Sequence, residues 1–245
     1  MKTYFKTVTL LLLTCLISGA RAQAQQFPEP KEEEGFRPIF NGKNFDGWTY
    51  DPVYWKVENG VMTGVVTEAT LLKNNSFIFW TEEQPADFEL KMDFKVSAKG
   101  NSGINYRSSI FPDVPFALKG YQLDIDGEKR WMGQNYEERG RTFLALRGQL
   151  TLVEDNVKPY VTGSAGSPEE LGALIKDDEW NEAHVIARGH TLIHLINGRV
   201  MSIVVDRDLT NRTGKGYIGM QVHVGPPMKI EFRNIRLKKE AAKSE

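Results

Sequence analysis

The chain has 245 residues, and its 31 Lys and Arg nearly balance 32 Asp and Glu, for a formal net charge of −1. It therefore lacks the basic footprint by which proteins hold nucleic acid or anionic membrane surfaces, and neither is an expected partner. A single cysteine, Cys15, excludes a disulfide framework, while 11% aromatic residues and 22 glycines suit a β-rich fold with many tight turns.

The N-terminus begins with Lys2 and Lys6, continues in an apolar run over 8–17 and ends in Ala20-Arg21-Ala22. A basic start, an apolar core too short to anchor in a bilayer and an Ala-x-Ala site predict a cleavable signal peptide over 1–22. The mature protein is then expected to be cysteine-free, without a membrane span, and periplasmic or secreted. A Pro/Glu-rich leader over 23–35 is predicted to be flexible. One domain is expected over 36–238, followed by a polar tail over 239–245.

From residue 36 the pattern is short strands between turn signals. Strands are predicted over 36–40, 55–58, 61–65, 76–80, 88–96, 103–108 and 121–126, then over 143–146, 149–153, 183–187, 192–196, 200–205, 217–224 and 229–237. Asn59-Gly60 and Asn197-Gly198 match the two-residue hairpin turn that needs positive φ at both positions. One short helix is predicted over 168–175, with Ser167 as N-cap, Pro168 in the first turn and early acids favoured by the helix dipole. In the last strand the apolar face switches partway, as at a bulge. Many short strands with almost no helix predict an all-β sandwich or barrel.

The stretch 120–127, Gly-Tyr-Gln-Leu-Asp-Ile-Asp-Gly, is the most informative. A strand's two-residue period sends Tyr121, Leu123 and Ile125 to a core face and Gln122, Asp124 and Asp126 to the other, with about 7 Å between alternate side chains. Half-solvated sheets alternate in this way for solubility alone. Asp is nevertheless depleted in strands, and two of them beside Gln call for a reason. The same alternation places Asn105 and Arg107 in one row over 103–107 and Gln221 and His223 in another over 217–223.

If these three strands neighbour one another in a curved sheet, the rows line one concave surface. Arg107 pairing across strands with an acid, or His223 as an ordinary surface residue, is the plainer account of each alone. His184, His190 and His194 show no mutual metal-ligand spacing. Between 131 and 147 the chain carries Trp131, Tyr136, Glu137, Glu138 and Arg141 among glycines. This stretch reads as a loop folding over the concave face, offering the aromatic and planar polar groups that hold sugars.

Several motifs carry a resemblance. Phe40-Asn41-Gly42-Lys43 with Asp46-Gly47-Trp48, Trp55-Lys56-Val57-Glu58-Asn59-Gly60, Asp87-Phe88-Glu89-Leu90, Gly100-Asn101-Ser102-Gly103-Ile104 and Gly120-Tyr121-Gln122 stand in order. Gly219-Met220-Gln221-Val222-His223 and Phe232-Arg233-Asn234-Ile235-Arg236 follow. Together, over 36–237, they resemble the 3-keto-disaccharide hydrolase family, described as 3-keto-glucoside 1,2-lyases and 3-keto-2-hydroxyglucal hydratases. The resemblance implies a concanavalin A-like jelly-roll β-sandwich with the ligand on the concave sheet, an exported location and a sugar substrate of the 3-keto-glucoside class.

Such chemistry needs a base at C2, an acid at the leaving oxygen and a positive group or metal at the C3 oxygen. Asp124 and His223 are expected to be the central acid–base pair, since an unperturbed imidazole titrates near pH 6.5. Arg107 is expected to hold the developing enolate. Gln122, Asp126, Asn105, Gln221, Tyr136, Glu137, Glu138 and Arg141 are expected to bind the sugar. No cofactor is required by the sequence; a divalent metal ion held by Asp124 and His223 is the alternative use of those two residues. Rival readings are a non-catalytic carbohydrate-binding module and a two-carboxylate glycoside hydrolase built on Asp124 and Asp126.

Overall fold

A computed structural model of the chain describes residues 33–240, so the expected signal peptide and most of the leader and of the tail lie outside the described residues. The strands, in chain order, are β1 (Arg37–Pro38), β2 (Trp48–Thr49), β3 (Trp55–Glu58), β4 (Val61–Val66), β5 (Ser76–Trp80), β6 (Phe88–Val96), β7 (Asn101–Ile110), β8 (Leu118–Asp126) and β9 (Asn135–Glu138). They continue as β10 (Thr142–Ala145), β11 (Gln149–Val153), β12 (Tyr160–Ser164), β13 (Asn181–Arg188), β14 (Thr191–Ile196), β15 (Arg199–Asp206), β16 (Tyr217–Val222) and β17 (Met228–Lys239). The helix α1 (Pro168–Gly172) is shorter than predicted; Ser167 caps it and accepts the Glu170 N–H.

Seven strands form one sheet in the order β10-β9-β8-β7-β16-β5-β2, and the other ten form the second, β12-β11-β15-β14-β13-β6-β17-β4-β3 with β1 beside β17. Their inner faces meet in a shared apolar core. Ile104, Tyr106, Tyr121, Leu123, Ile125, Ile218 and Met220 supply it from the smaller sheet, and Leu90, Met92, Phe94, Ile230 and Phe232 from the larger. The fold is the all-β two-sheet sandwich that the strand pattern predicts.

Asn59 and Gly60, like Asn197 and Gly198, have positive φ, as the hairpin reading requires. The predicted bulge in the last strand lies between Arg233 and Arg236, with Asn234 at φ 54°. Strands β2 and β12 were not predicted, and part of the expected 131–147 loop is the β9–β10 hairpin. At the end of the expected leader, Glu33 pairs with Lys91 and Arg236. Among the described residues, no helix is long and apolar enough to cross a membrane.

One irregularity shapes the outer face of the smaller sheet. The β7–β8 register shifts between Tyr106 and Ser109, and Arg107 takes φ 46°. Beyond this bulge the hairpin tip reaches over β16 and β5. Phe116 O accepts the Phe77 N–H at 2.8 Å, and Leu118 packs with Phe77 and Phe79. Gly219 permits the approach, because a Cβ there would lie 2.7 Å from Leu118 Cδ1.

Candidate active site

Cross-strand partners share a face, so the register of the smaller sheet sets out a polar row. Asn105 on β7 stands opposite Gln122 on β8, which stands opposite Tyr136 on β9. One step along, Gly103 stands opposite Asp124. Gln221 comes from β16, on the other side of β7. All face away from the core that Ile104, Leu123 and Met220 fill.

Asp124 sits at the centre. Its Oδ1 accepts the Gln122 Nε2–H at 2.6 Å and its Oδ2 accepts the Gln134 Nε2–H at 2.5 Å. It is only 8% exposed. Burial pushes its pKa up to about 7 despite these two donors, and the nearby Glu138 and Asp126 push the same way. Its neutral and ionised forms are therefore both populated near neutral pH.

The second buried carboxylate is Glu138. Its Oε1 accepts the Asn75 Nδ2–H at 3.2 Å and lies 3.8 Å from Arg139 Nε. Burial raises its pKa, while Asn75, Arg139, His223 and Gln221 favour the ionised form. Gln221 is close enough for that influence, yet its carboxamide completes no hydrogen bond of good geometry. Asn75 Oδ1 accepts the Val224 N–H at 3.0 Å, which ties Glu138 to the segment after β16 that carries His223. His223 is half-buried there, with Nδ1 facing Val224 O.

Among the described residues, both carboxamide atoms of Asn105 and of Gln221, the Oε1 of Gln122 and the Nε of Arg139 are buried and complete no hydrogen bond within the protein. Leaving such groups unpaired costs about 1–3 kcal/mol each, so folded proteins seldom bury them idle. Their convergence beside two buried carboxylates is the pattern of a face that hydrogen-bonds a polyhydroxylated ligand.

Four expected site residues lie elsewhere in the packing. Arg107 leaves the row at the bulge and donates to Ala86 O, Gly189 O and Asp87, at 2.8, 2.8 and 2.9 Å. Asp126 braces a turn, its carboxylate accepting the N–H groups of Arg130 and Trp131. Glu137 stands opposite Tyr121 and so faces the core side. There it holds Arg141, whose guanidinium also donates to Asp206 at 2.7 Å and Asp208 at 3.2 Å. These carboxylates hold Arg141 firmly in its charged form. Asp126 stays near Asp124, with its carboxylate engaged by the Arg130 and Trp131 backbone N–H groups.

Asn75, Gln134 and Arg139 join the site without having been expected. Behind Gln134, the His194 ring contacts its backbone O at 3.1 Å and Tyr106 Oη at 2.8 Å. Burial lowers the His194 pKa to about 3, so the ring is neutral. As for a metal, both Asp124 oxygens already accept amide donors, and no three His, Cys, Asp or Glu side chains converge as ligands among the described residues. These residues do not fit a metal held by Asp124 and His223.

Comparison with known proteins adds to this geometry. A family model described as "3-keto-alpha-glucoside-1,2-lyase-like domain" matches residues 35–238. A Bacteroides thetaiotaomicron protein named 3-keto-disaccharide hydrolase is 24% identical over 262 residues, covering 89% of this chain and 82% of that protein. A putative glycosyl hydrolase from Parabacteroides distasonis superposes with a TM-score of 0.56 at 20% identity, covering 84% of this chain and 99% of its own. A Bacillus subtilis protein of unknown function with a galectin-like fold gives 0.56 at 14% identity, covering 83% and 94%. The last two establish the jelly-roll fold.

Proposed function

Because the chain belongs to the 3-keto-alpha-glucoside-1,2-lyase-like family, we propose that it is an exported carbohydrate-active enzyme that cleaves 3-keto-glycosides. The observation that carries the reading is the pair of buried carboxylates, Asp124 and Glu138, set among the unpartnered carboxamides of Asn105 and Gln221 and the unpartnered Oε1 of Gln122.

A ketone at C3 acidifies the proton at C2, because the resulting enolate places its charge on the C3 oxygen. Loss of that proton and departure of the C1 oxygen leave a C1=C2 double bond. Water then adds across it, oxygen at C1 and hydrogen at C2, so the sum is hydrolysis.

In this scheme His223 takes the C2 proton, and the neighbouring Glu138 carboxylate stabilises the imidazolium. Asp124 in its neutral form donates to the leaving oxygen, a role suited to a carboxyl with a pKa near 7. In hydration the roles reverse: Asp124 takes a proton from water as it attacks C1, and His223 returns its proton to C2. The Nε–H of Arg139, which completes no hydrogen bond within the protein, supports the enolate, in the role first expected of Arg107. Asn105, Gln122, Gln221 and Tyr136 hold the hydroxyls.

The test is incubation with a glucoside and with its 3-keto derivative. Cleavage of the latter alone, with deuterium entering C2 in heavy water, supports the proposal. Cleavage of both points to an ordinary glycoside hydrolase, and binding without cleavage to a carbohydrate-binding module. Export is tested separately by N-terminal sequencing from the native host, where a retained Met1 would refute it.

A further inference from the structure

The polar row does not end at Tyr136. Phe143 on β10 stands opposite Tyr136, so the row runs from Asn105 through Gln122 and Tyr136 to Phe143 on one face of the sheet. Tyr136 and Phe143 meet edge-to-face at 5.2 Å, and the Trp131 ring lies 5.5 Å from Phe143, tilted by 37°. Phe143 is 46% exposed and Trp131 37%, so two large aromatic rings stand open to solvent beside a buried polar cluster. Neighbouring strands are about 4.8 Å apart, which places Phe143 roughly 10 Å from Gln122, the reach of two linked six-membered rings.

The position of Trp131 is fixed by the site strand itself. Asp126, two residues beyond Asp124, accepts the N–H of Trp131 and that of Arg130. Asp126 thereby holds the backbone of Trp131 beside the end of the site strand. Phe143 also lines a cavity of about 360 Å³ with Leu146, Gln149 and Lys158.

We propose that Tyr136, Phe143 and Trp131 form the subsite for the leaving group, and that they select glycosides whose leaving group is itself a ring with an apolar face. This rests on the catalytic reading above and extends it. A sugar ring presents its axial C–H groups to an aromatic surface, and an aryl group stacks on one directly, so both satisfy the subsite. A small alkyl leaving group reaches no further than Tyr136 and gains nothing from Phe143 or Trp131.

The experiment compares kcat/KM for the 3-keto derivatives of methyl glucoside, phenyl glucoside and a glucosyl-glucose disaccharide. The wild type should prefer the ring-bearing substrates. Phe143→Ala and Trp131→Ala should each shrink that preference by about five- to tenfold, the worth of one aromatic stacking contact, and Trp131→Phe should restore most of it. Equal rates on all three substrates, or preferences untouched by both alanine variants, would overturn the proposal. If the wild type turns over no 3-keto-glycoside, the catalytic reading fails and binding decides this one. Quenching of fluorescence by the unoxidised disaccharide, lost in Trp131→Phe, would support the subsite, and its absence in the wild type would refute it.

Discussion

Gln122 and Asp124, two residues apart on one face of β8, are joined by a 2.6 Å hydrogen bond from carboxamide to carboxylate. Gly103 makes the room for it. A Cβ at Gly103 would lie 2.3 Å from Gln122 Cδ, so Gly103→Ala must push the carboxamide aside and free Asp124 from one of its two donors. Turnover of a 3-keto-glucoside should fall by about 10²-fold, as expected when a catalytic group is displaced by about 1 Å. Unchanged turnover in a variant that still folds would show that the Gln122 contact does not position Asp124.

Arg141 makes the opposite prediction to the one its sequence context suggested. Its guanidinium is shared by Glu137, Asp206 and Asp208, all buried. Arg141→Ala leaves those charges without their cation and should destabilise the fold by about 3–5 kcal/mol. Urea denaturation measures this directly. A midpoint that stays in place while activity is lost would return Arg141 to the sugar.

The two-residue period was legible wherever a strand was recognised and ran without interruption. It separated Tyr121, Leu123 and Ile125 from Gln122 and Asp124 correctly. It failed at Arg107, where the bulge inserts a residue at positive φ and Arg carries no preference that announces such a conformation. It failed again at Glu137 and Glu138 for a different reason. Read as a loop, 131–147 offered both carboxylates to one surface. As the strand β9, it sends Glu138 to the amide row and Glu137 to the core side with Tyr121. Asn75 and Gln134 lie outside the strands, where no periodicity applies, and only the folded β8–β9 and β5–β16 neighbourhoods bring them in.

Leu123 tests the register that underlies the site. It is fully buried between the sheets, so Leu123→Ala should cost about 2–5 kcal/mol once the residual cavity is included. A small loss, within about 0.5 kcal/mol as for ordinary surface changes, would mean that β8 presents the other face to the core and that Asp124 does not share the outer face with Asn105 and Gln122.

His223 is half-buried and contacts only the adjacent carbonyl of Val224 among the hydrogen bonds of the described residues. His223→Ala should therefore leave stability nearly unchanged while lowering turnover by about 10²–10⁴-fold, the usual worth of a positioned base. Exchange of the C2 proton with solvent should fall by a similar factor. If exchange persists at the wild-type rate, another group takes that proton, and Glu138 is the first to examine by Glu138→Gln.

Asp124 links catalysis to pH with a definite sign. In the unfolded chain a carboxyl ionises near pH 4, whereas burial holds the folded Asp124 near pH 7. Between those values the folded protein keeps a proton that the unfolded chain has lost, so this group makes stability fall as pH rises from about 4 to 7 and adds no slope above that. Three pH units correspond to roughly 4 kcal/mol at most. Asp124→Asn removes the ionisation, and the loss of stability between pH 5 and pH 8 should be visibly smaller in the variant. Glu138, also raised, leaves a residual slope. In the wild type, kcat should decline through about pH 7 as the donor form of Asp124 is depleted, and the variant should be slower by about 10²–10⁴-fold with that limb gone. A variant that keeps both the stability slope and the alkaline limb would move the titrating acid away from Asp124.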